Sequence, residues 1–194
     1  MTFYSHQPDR LQPRAFTLVE TLVAVAILTI AMVGPYTVAK HSIDAADIAR
    51  DELAASNLAQ EGLEYVRSVR DGNYLYNISN PGSQRSWLYG LDSTGGSANC
   101  FAGTCTVEPT QSVPTLALVA CGGTCAPLYL TGSGQYTQVQ SGNTPTYFTR
   151  SIQIAAVPAG APNPTEITIT STVTWVNKGA SHTVQVSEDI TDWL

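Results

Sequence analysis

The chain has 194 residues, a formal net charge of −6 and only 12% charged residues, about half the share usual in a soluble domain. Its length allows one ordinary domain plus a long accessory segment. Nine Lys and Arg, scattered rather than clustered, argue against an electrostatic nucleic-acid binder, which neutralises phosphates with grouped cations.

Residues 1–15 (MTFYSHQPDRLQPRA) are polar, carry Arg10 and Arg14, and contain Pro8 and Pro13. They show no periodicity that asks for burial. From Phe16 to Ala39 the chemistry switches to an apolar run of 24 residues with one charge, Glu20. As a helix that run is about 36 Å long, enough to cross a hydrocarbon core of roughly 30 Å. A secretory signal normally places its small-residue cleavage site after the apolar stretch. Here the small residue, Ala15, precedes it.

Arg10 and Arg14 flank the N-terminal end of the span, while Lys40 is followed by Asp44 and Asp47. The positive-inside bias therefore keeps the N-terminus cytoplasmic and sends the rest outward. Gly34-Pro35 interrupts the span, and Pro predicts a kink or local melting there. From Lys40 to about Arg70, Ala55, Leu58/Ala59, Gly62, Tyr65/Val66 and Val69 recur at spacings of three and four, the signature of an amphipathic helix. Asp71-Gly72-Asn73 reads as its stop signal. Phe16–Arg70 is thus expected as one helix of some 55 residues, roughly 80 Å long if unbroken.

From Tyr74 to Asn143 the composition predicts loops. Four cysteines fall there: Cys100, Cys105, Cys121 and Cys125. An even cysteine count downstream of an export-like segment reads as two disulfides in an oxidising compartment. Local pairing, Cys100–Cys105 and Cys121–Cys125, is the expected connectivity among three. A four-thiolate zinc site is the alternative, since C-x4-C and C-x3-C approach metal-knuckle spacing. Two β-stretches follow, Phe148–Val157 and Glu166–Val176. The second alternates Ile167, Ile169, Val173 and Trp175 with Thr168, Thr170, Thr172 and Thr174. Asn177–Ala180 is a turn, and Thr183–Ile190 returns with Val184 and Val186 inward. The resulting antiparallel meander has one apolar face, for which the helix stripe is the partner.

The string Arg14-Ala15-Phe16-Thr17-Leu18-Val19-Glu20 opens the apolar run. A basic leader, a small residue, Phe, and Glu at the fifth position of the new chain resemble the signal of type IV pilins and type II secretion pseudopilins. The resemblance is close over residues 14 to about 40 and looser over the order of long helix, cysteine-bearing loop and terminal β-meander. It implies a pilin-like α+β fold: a membrane-spanning and amphipathic N-terminal helix on a C-terminal antiparallel β-sheet domain. It implies a leader (1–15), a filament-core helix (16–39), its amphipathic continuation (40–71) and an extracytoplasmic head (72–194). Cleavage would fall between Ala15 and Phe16, with N-methylation of Phe16 and an assembly role for Glu20, paired with a Phe16 amine. Ala15 departs from the Gly usual before the cut. The implied partners are other pilin or pseudopilin subunits, a prepilin peptidase and methylase, and an inner-membrane assembly platform, without cofactor. The implied product is a structural, non-enzymatic subunit of a single-pass membrane protein class that ends in a surface or periplasmic filament. The 15-residue leader and the stretch with Val173, Trp175, Gly179 and Trp193 point toward minor subunits.

The physical logic agrees with this. A carboxylate near the start of a membrane helix costs roughly 2.5–3.5 kcal/mol on insertion scales, less near the interface, and calls for a partner. The bland alternative is that Glu20 snorkels to the headgroups. A rival of another class is a membrane-tethered binding or enzymatic domain with an uncleaved anchor, which would expect a flexible linker after the span. None stands there. His41 and His182 adjoin no nucleophile motif and read as solvent-facing. Asp44, Asp47 and Asp51 read as a solvated acidic face rather than a calcium site. Asn77-Ile78-Ser79 matches a glycosylation sequon weakly. Tyr74, Tyr76, Trp87 and Tyr89 offer a surface patch, but as core and loop anchors they need no special role. Loss of residues 1–15 would remove Arg10, Arg14 and Asp9, leaving 7 basic and 14 acidic residues.

Overall fold

A computed structural model describes residues 16–92, 94, 99–101, 103–110 and 118–192. One helix, α1 (Leu18–Ser79), is followed by seven strands: β1 (Cys105–Val107), β2 (Leu118–Ala120), β3 (Pro127–Leu130), β4 (Tyr136–Thr137), β5 (Thr144–Val157), β6 (Glu166–Asn177) and β7 (Ala180–Thr191). The chain divides into two compact units after Asp47.

In the first unit every residue from Phe16 to Ile43 is exposed, within a helical window apolar enough to cross a membrane. Gly34-Pro35 lies within the continuous helix, so the local melting that was one of the two expectations does not occur. Pro35 still withdraws the donor due to the Ala31 carbonyl. The neighbouring turn is tied by Thr37, whose hydroxyl donates to Gly34 O at 2.8 Å, a local bond of the kind that lets membrane helices tolerate Pro.

In the second unit α1 lays Ala55, Leu58, Ala59, Gly62, Leu63, Val66 and Val69 on the sheet. The stripe expected from periodicity is the buried stripe, save that Tyr65 is only half-buried and Leu63 joins it. The helix also outruns Asp71-Gly72-Asn73 by two turns. Asn73 is fully buried, and its amide donates to Trp87 O at 2.9 Å and Tyr89 O at 2.8 Å. Those tertiary bonds override a weak local stop signal. The break comes at Asn80-Pro81-Gly82 instead.

All strand pairings are antiparallel. Strand β5 is central. One edge pairs with β6, which pairs with β7, and the other is shared by β1 and β3, carrying β2 and β4 outside them. The β6–β7 register runs from Glu166↔Thr191 to Asn177↔Ala180. Its two-residue turn needs positive φ at both positions, and Lys178 and Gly179 supply 51° and 83°, the type I′ geometry of tight hairpins. Strand β6 turns Ile167, Ile169, Ser171, Val173 and Trp175 inward.

Gly62 sets how closely the helix approaches. A Cβ there would stand 2.7 Å from Ser171 Oγ and 3.1 Å from Ile152 Cδ1. Around this contact lie two apolar clusters: Leu63, Val66 and Val69 on Ile152, Ile154, Ile167, Ile169 and Ile190, and Ala55, Leu58 and Ala59 on Leu128, Phe148, Val173 and Trp175. Arg150, on the inner face of β5 and fully buried, donates to Leu58 O at 3.1 Å and Val107 O at 2.9 Å and pairs with Glu61. Arg67 Nε donates to Glu188 of β7 at 3.1 Å.

The structure joins Cys100 to Cys105 and Cys121 to Cys125, with Cα separations of 5.4 and 4.5 Å. All four sulfurs are thereby committed, which displaces the zinc alternative. Cys105 pairs across β1–β2 with Ala120, so the two bridges pin adjacent ends of one hairpin.

Two surface expectations are corrected. Asp51 is buried rather than solvated, accepting from Tyr147 Oη at 2.7 Å and Asn177 Nδ2 at 2.8 Å. That hydrogen bond, with burial and the carboxylate charge behind it, pushes the Tyr147 hydroxyl up to about 12. His182 is half-buried and stacks on Trp175 with ring centroids 5.2 Å apart. The Asn77 sequon nitrogen is occupied, donating to Arg85 O at 2.9 Å.

Candidate functional site

The residues that carry the sequence argument lie at the start of α1. Thr17 caps the helix: its Oγ1 accepts from Glu20 N at 3.2 Å, and its carbonyl accepts from Thr21 N at 3.2 Å. Thr17-Leu18-Val19-Glu20 is a capping-box sequence, legible in advance as Thr-x-x-Glu though not singled out there. The cap places Glu20 in the first turn, where the positive end of the helix dipole favours a carboxylate. Phe16 stands just outside the helix and is exposed. Ala15, like all of residues 1–15, lies outside the described residues, as does Trp193.

Most other hydroxyls of the span are satisfied from within. Thr21, Thr29 and Thr37 each donate at 2.8 Å to a carbonyl three residues back, Leu18, Ala26 and Gly34. Such back-bonding hides a polar group without calling on a partner. The Glu20 carboxylate has no such arrangement: among the described residues it makes no hydrogen bond or ion pair. Within 16–39 it is the single Asp, Glu, Lys, Arg or His. The site therefore consists of an exposed Phe, a capped first turn and an unpaired acid one turn in.

The cavities belong to the second unit and hold none of these residues. No group of three or more His, Cys, Asp or Glu positioned to hold a metal occurs among the described residues. Two buried charges that sequence reasoning left unweighted, Glu108 and Arg150, serve packing. Burial alone would raise Glu108, but hydrogen bonds from Thr110, Gln138 N at 2.6 Å and Thr137 at 2.9 Å win and hold it below its ordinary 4.5. Arg150 was visible as a break in the apolar alternation of β5, which is the signal that finds it.

A long apolar N-terminal helix whose later turns pack on a C-terminal antiparallel sheet defines a pilin-like protein. Residues 11–34 match the prokaryotic N-terminal methylation motif, and that motif at the head of a long apolar helix supports the type IV pilin and pseudopilin family. Curated proteins show no significant match to it, and neither do solved structures.

Proposed function

We propose that the protein is a structural subunit of a type IV pilus-like filament or a type II secretion pseudopilus. A prepilin peptidase would cut it between Ala15 and Phe16 on the cytoplasmic face, and Phe16 would then be N-methylated. The helix would leave the membrane for a filament core, with the head extracytoplasmic. The methylation motif supports processing by such a peptidase and assembly with other pilins. Arg10 and Arg14 before the span support the orientation.

The observation that carries the reading is Glu20, an acid in an apolar helix without a partner among the described residues. Desolvating a carboxylate is tolerated only where something offsets its cost. The ammonium of a processed Phe16 on a neighbouring subunit would supply the opposite charge, and a filament brings one N-terminus against the next helix. Expressed in the native host, Glu20→Ala should enter the membrane at parental levels. Its share in sheared filaments should fall roughly tenfold, a magnitude suited to losing a desolvated ion pair. Glu20→Lys should fall further, because two cations would meet. Equal incorporation of Glu20→Ala at matched expression refutes the pairing.

A further inference from the structure

Near the last turns of α1 a groove of 670 Å³ is lined by Tyr74, Leu75, Ile78, Arg85 and Trp87, with Arg70 and Asp71 at its side. Leu75 and Ile78 are 62% and 59% exposed, which gives it an apolar wall open to solvent. Most of its polar groups are already engaged: Arg70 binds Asp71 at 2.9 Å, and the Trp87 indole donates to Pro164 O at 3.1 Å. Arg85 is different. Its guanidinium sits 3.8 Å from the Tyr76 ring centroid and 4.8 Å from that of Tyr89. Its Nε is buried without an acceptor, and no carboxylate among the described residues pairs with it. Two aromatic rings hold this cation in place before any anion arrives.

Resting on the filament reading, we infer that the groove receives the Ile48–Leu53 stretch of α1 from a second copy of this chain, with Glu52 meeting Arg85. Glu52 is exposed and makes no bond among the described residues, and Leu53 beside it is 66% exposed. Most other acids of the second unit are spent within the chain, among them Asp51 on Tyr147 and Asn177, Glu61 on Arg150, Glu64 and Glu188 on Arg67, and Asp71 on Arg70. A carboxylate flanked by aliphatic side chains complements a guanidinium beside an apolar wall. Subunits inserted with one orientation pack in parallel. Arg85 lies level with Tyr76, 24 residues beyond Glu52 along α1. The contact therefore joins neighbours displaced by about 36 Å along the filament.

The test uses the full chain in its native host, with N-terminal processing scored first. Loss of processing, or absence of filaments from the parent itself, strikes the filament reading and is seen separately. Arg85→Glu and Glu52→Arg should each be processed and inserted normally, yet lower the amount in sheared filaments roughly fivefold to tenfold. The double exchange should restore it. Arg85→Gln, which keeps the stem, covers the case that charge reversal disturbs folding and should show an intermediate loss. In chains carrying both Glu52→Cys and Arg85→Cys, filaments should yield a ladder of covalent multimers on non-reducing gels. Single exchanges without effect, a double exchange that fails to restore, or no ladder overturns the inference. Restoration of Arg85→Glu by Asp47→Arg instead, or cross-linking to a different protein, overturns the choice of partner segment.

Discussion

Replacing Arg150 with alanine should destabilise the head more than any change to its acidic partner. The guanidinium is fully buried, whereas the Glu61 side chain is 36% exposed. Two of the groups Arg150 serves are backbone carbonyls, Leu58 O on α1 and Val107 O on β1, so it ties helix to sheet at two points. Each charged hydrogen bond contributes roughly 1.5–3 kcal/mol, and truncation also opens a cavity in a packed core. Together Arg150→Ala should cost about 3–5 kcal/mol, since the freed Glu61 carboxylate can rehydrate and adds little. At about 2–4 °C per kcal/mol for a unit of this size, the melting temperature should drop by roughly 10 °C. Glu61→Gln leaves the buried guanidinium an amide acceptor in place of the half-exposed carboxylate, and should cost about 1–2 kcal/mol, less than the truncation. Arg150→Met, which fills the volume and removes the charge, should fall between the two or approach the parent. Near-UV circular dichroism of detergent-solubilised protein during heating measures all three. A Glu61→Gln loss as large as that of Arg150→Ala would show that the ion pair, not the carbonyl clamp, dominates, and the reasoning fails.

Gly62→Ala should lose about 1–3 kcal/mol to overpacking against Ser171, offset by roughly 1 kcal/mol of helix propensity. Adding Ser171→Ala should recover the strain, and additive losses in the double-mutant cycle would refute the close-approach account. Glu108 titrates below its ordinary value in the folded head. Its contribution is therefore present above the unfolded value and lost as pH falls through the folded one. Thermal melts between pH 6 and 3 should show an acid limb that Glu108→Gln diminishes, and an unchanged limb contradicts the assignment. Removing either disulfide by paired Cys→Ser changes should cost about 2 kcal/mol, the chain-entropy value for such short loops. Denaturant unfolding would decide it, a null effect meaning that the loops are held by β1–β2 pairing alone.

Much of this architecture was legible because it is periodic. Spacings of three and four in 55–69 located the buried stripe, and alternation in 166–176 located the inner face of β6. Where tertiary contacts outvote local signals, sequence reasoning fell short. Asp71-Gly72-Asn73 reads as a stop until Asn73 is seen donating to two loop carbonyls. Asp51 reads as a solvated acid until Tyr147 and Asn177, distant in sequence, close over it. Arg85 carries no sequence signal, since its meaning comes from two tyrosines on different elements. The candidate site was readable because its parts, Phe16, Thr17 and Glu20, lie within five consecutive residues.

The central claim is that residues 1–15 are a removable leader and that the filament begins at Phe16. Intact-mass analysis of filament-associated protein from the native host tests it directly. The account predicts a chain of residues 16–194 bearing one added methyl group on the Phe16 amine and two disulfides. A filament-associated or membrane-bound form that still begins at Met1, in cells whose prepilin peptidase is active, would contradict it.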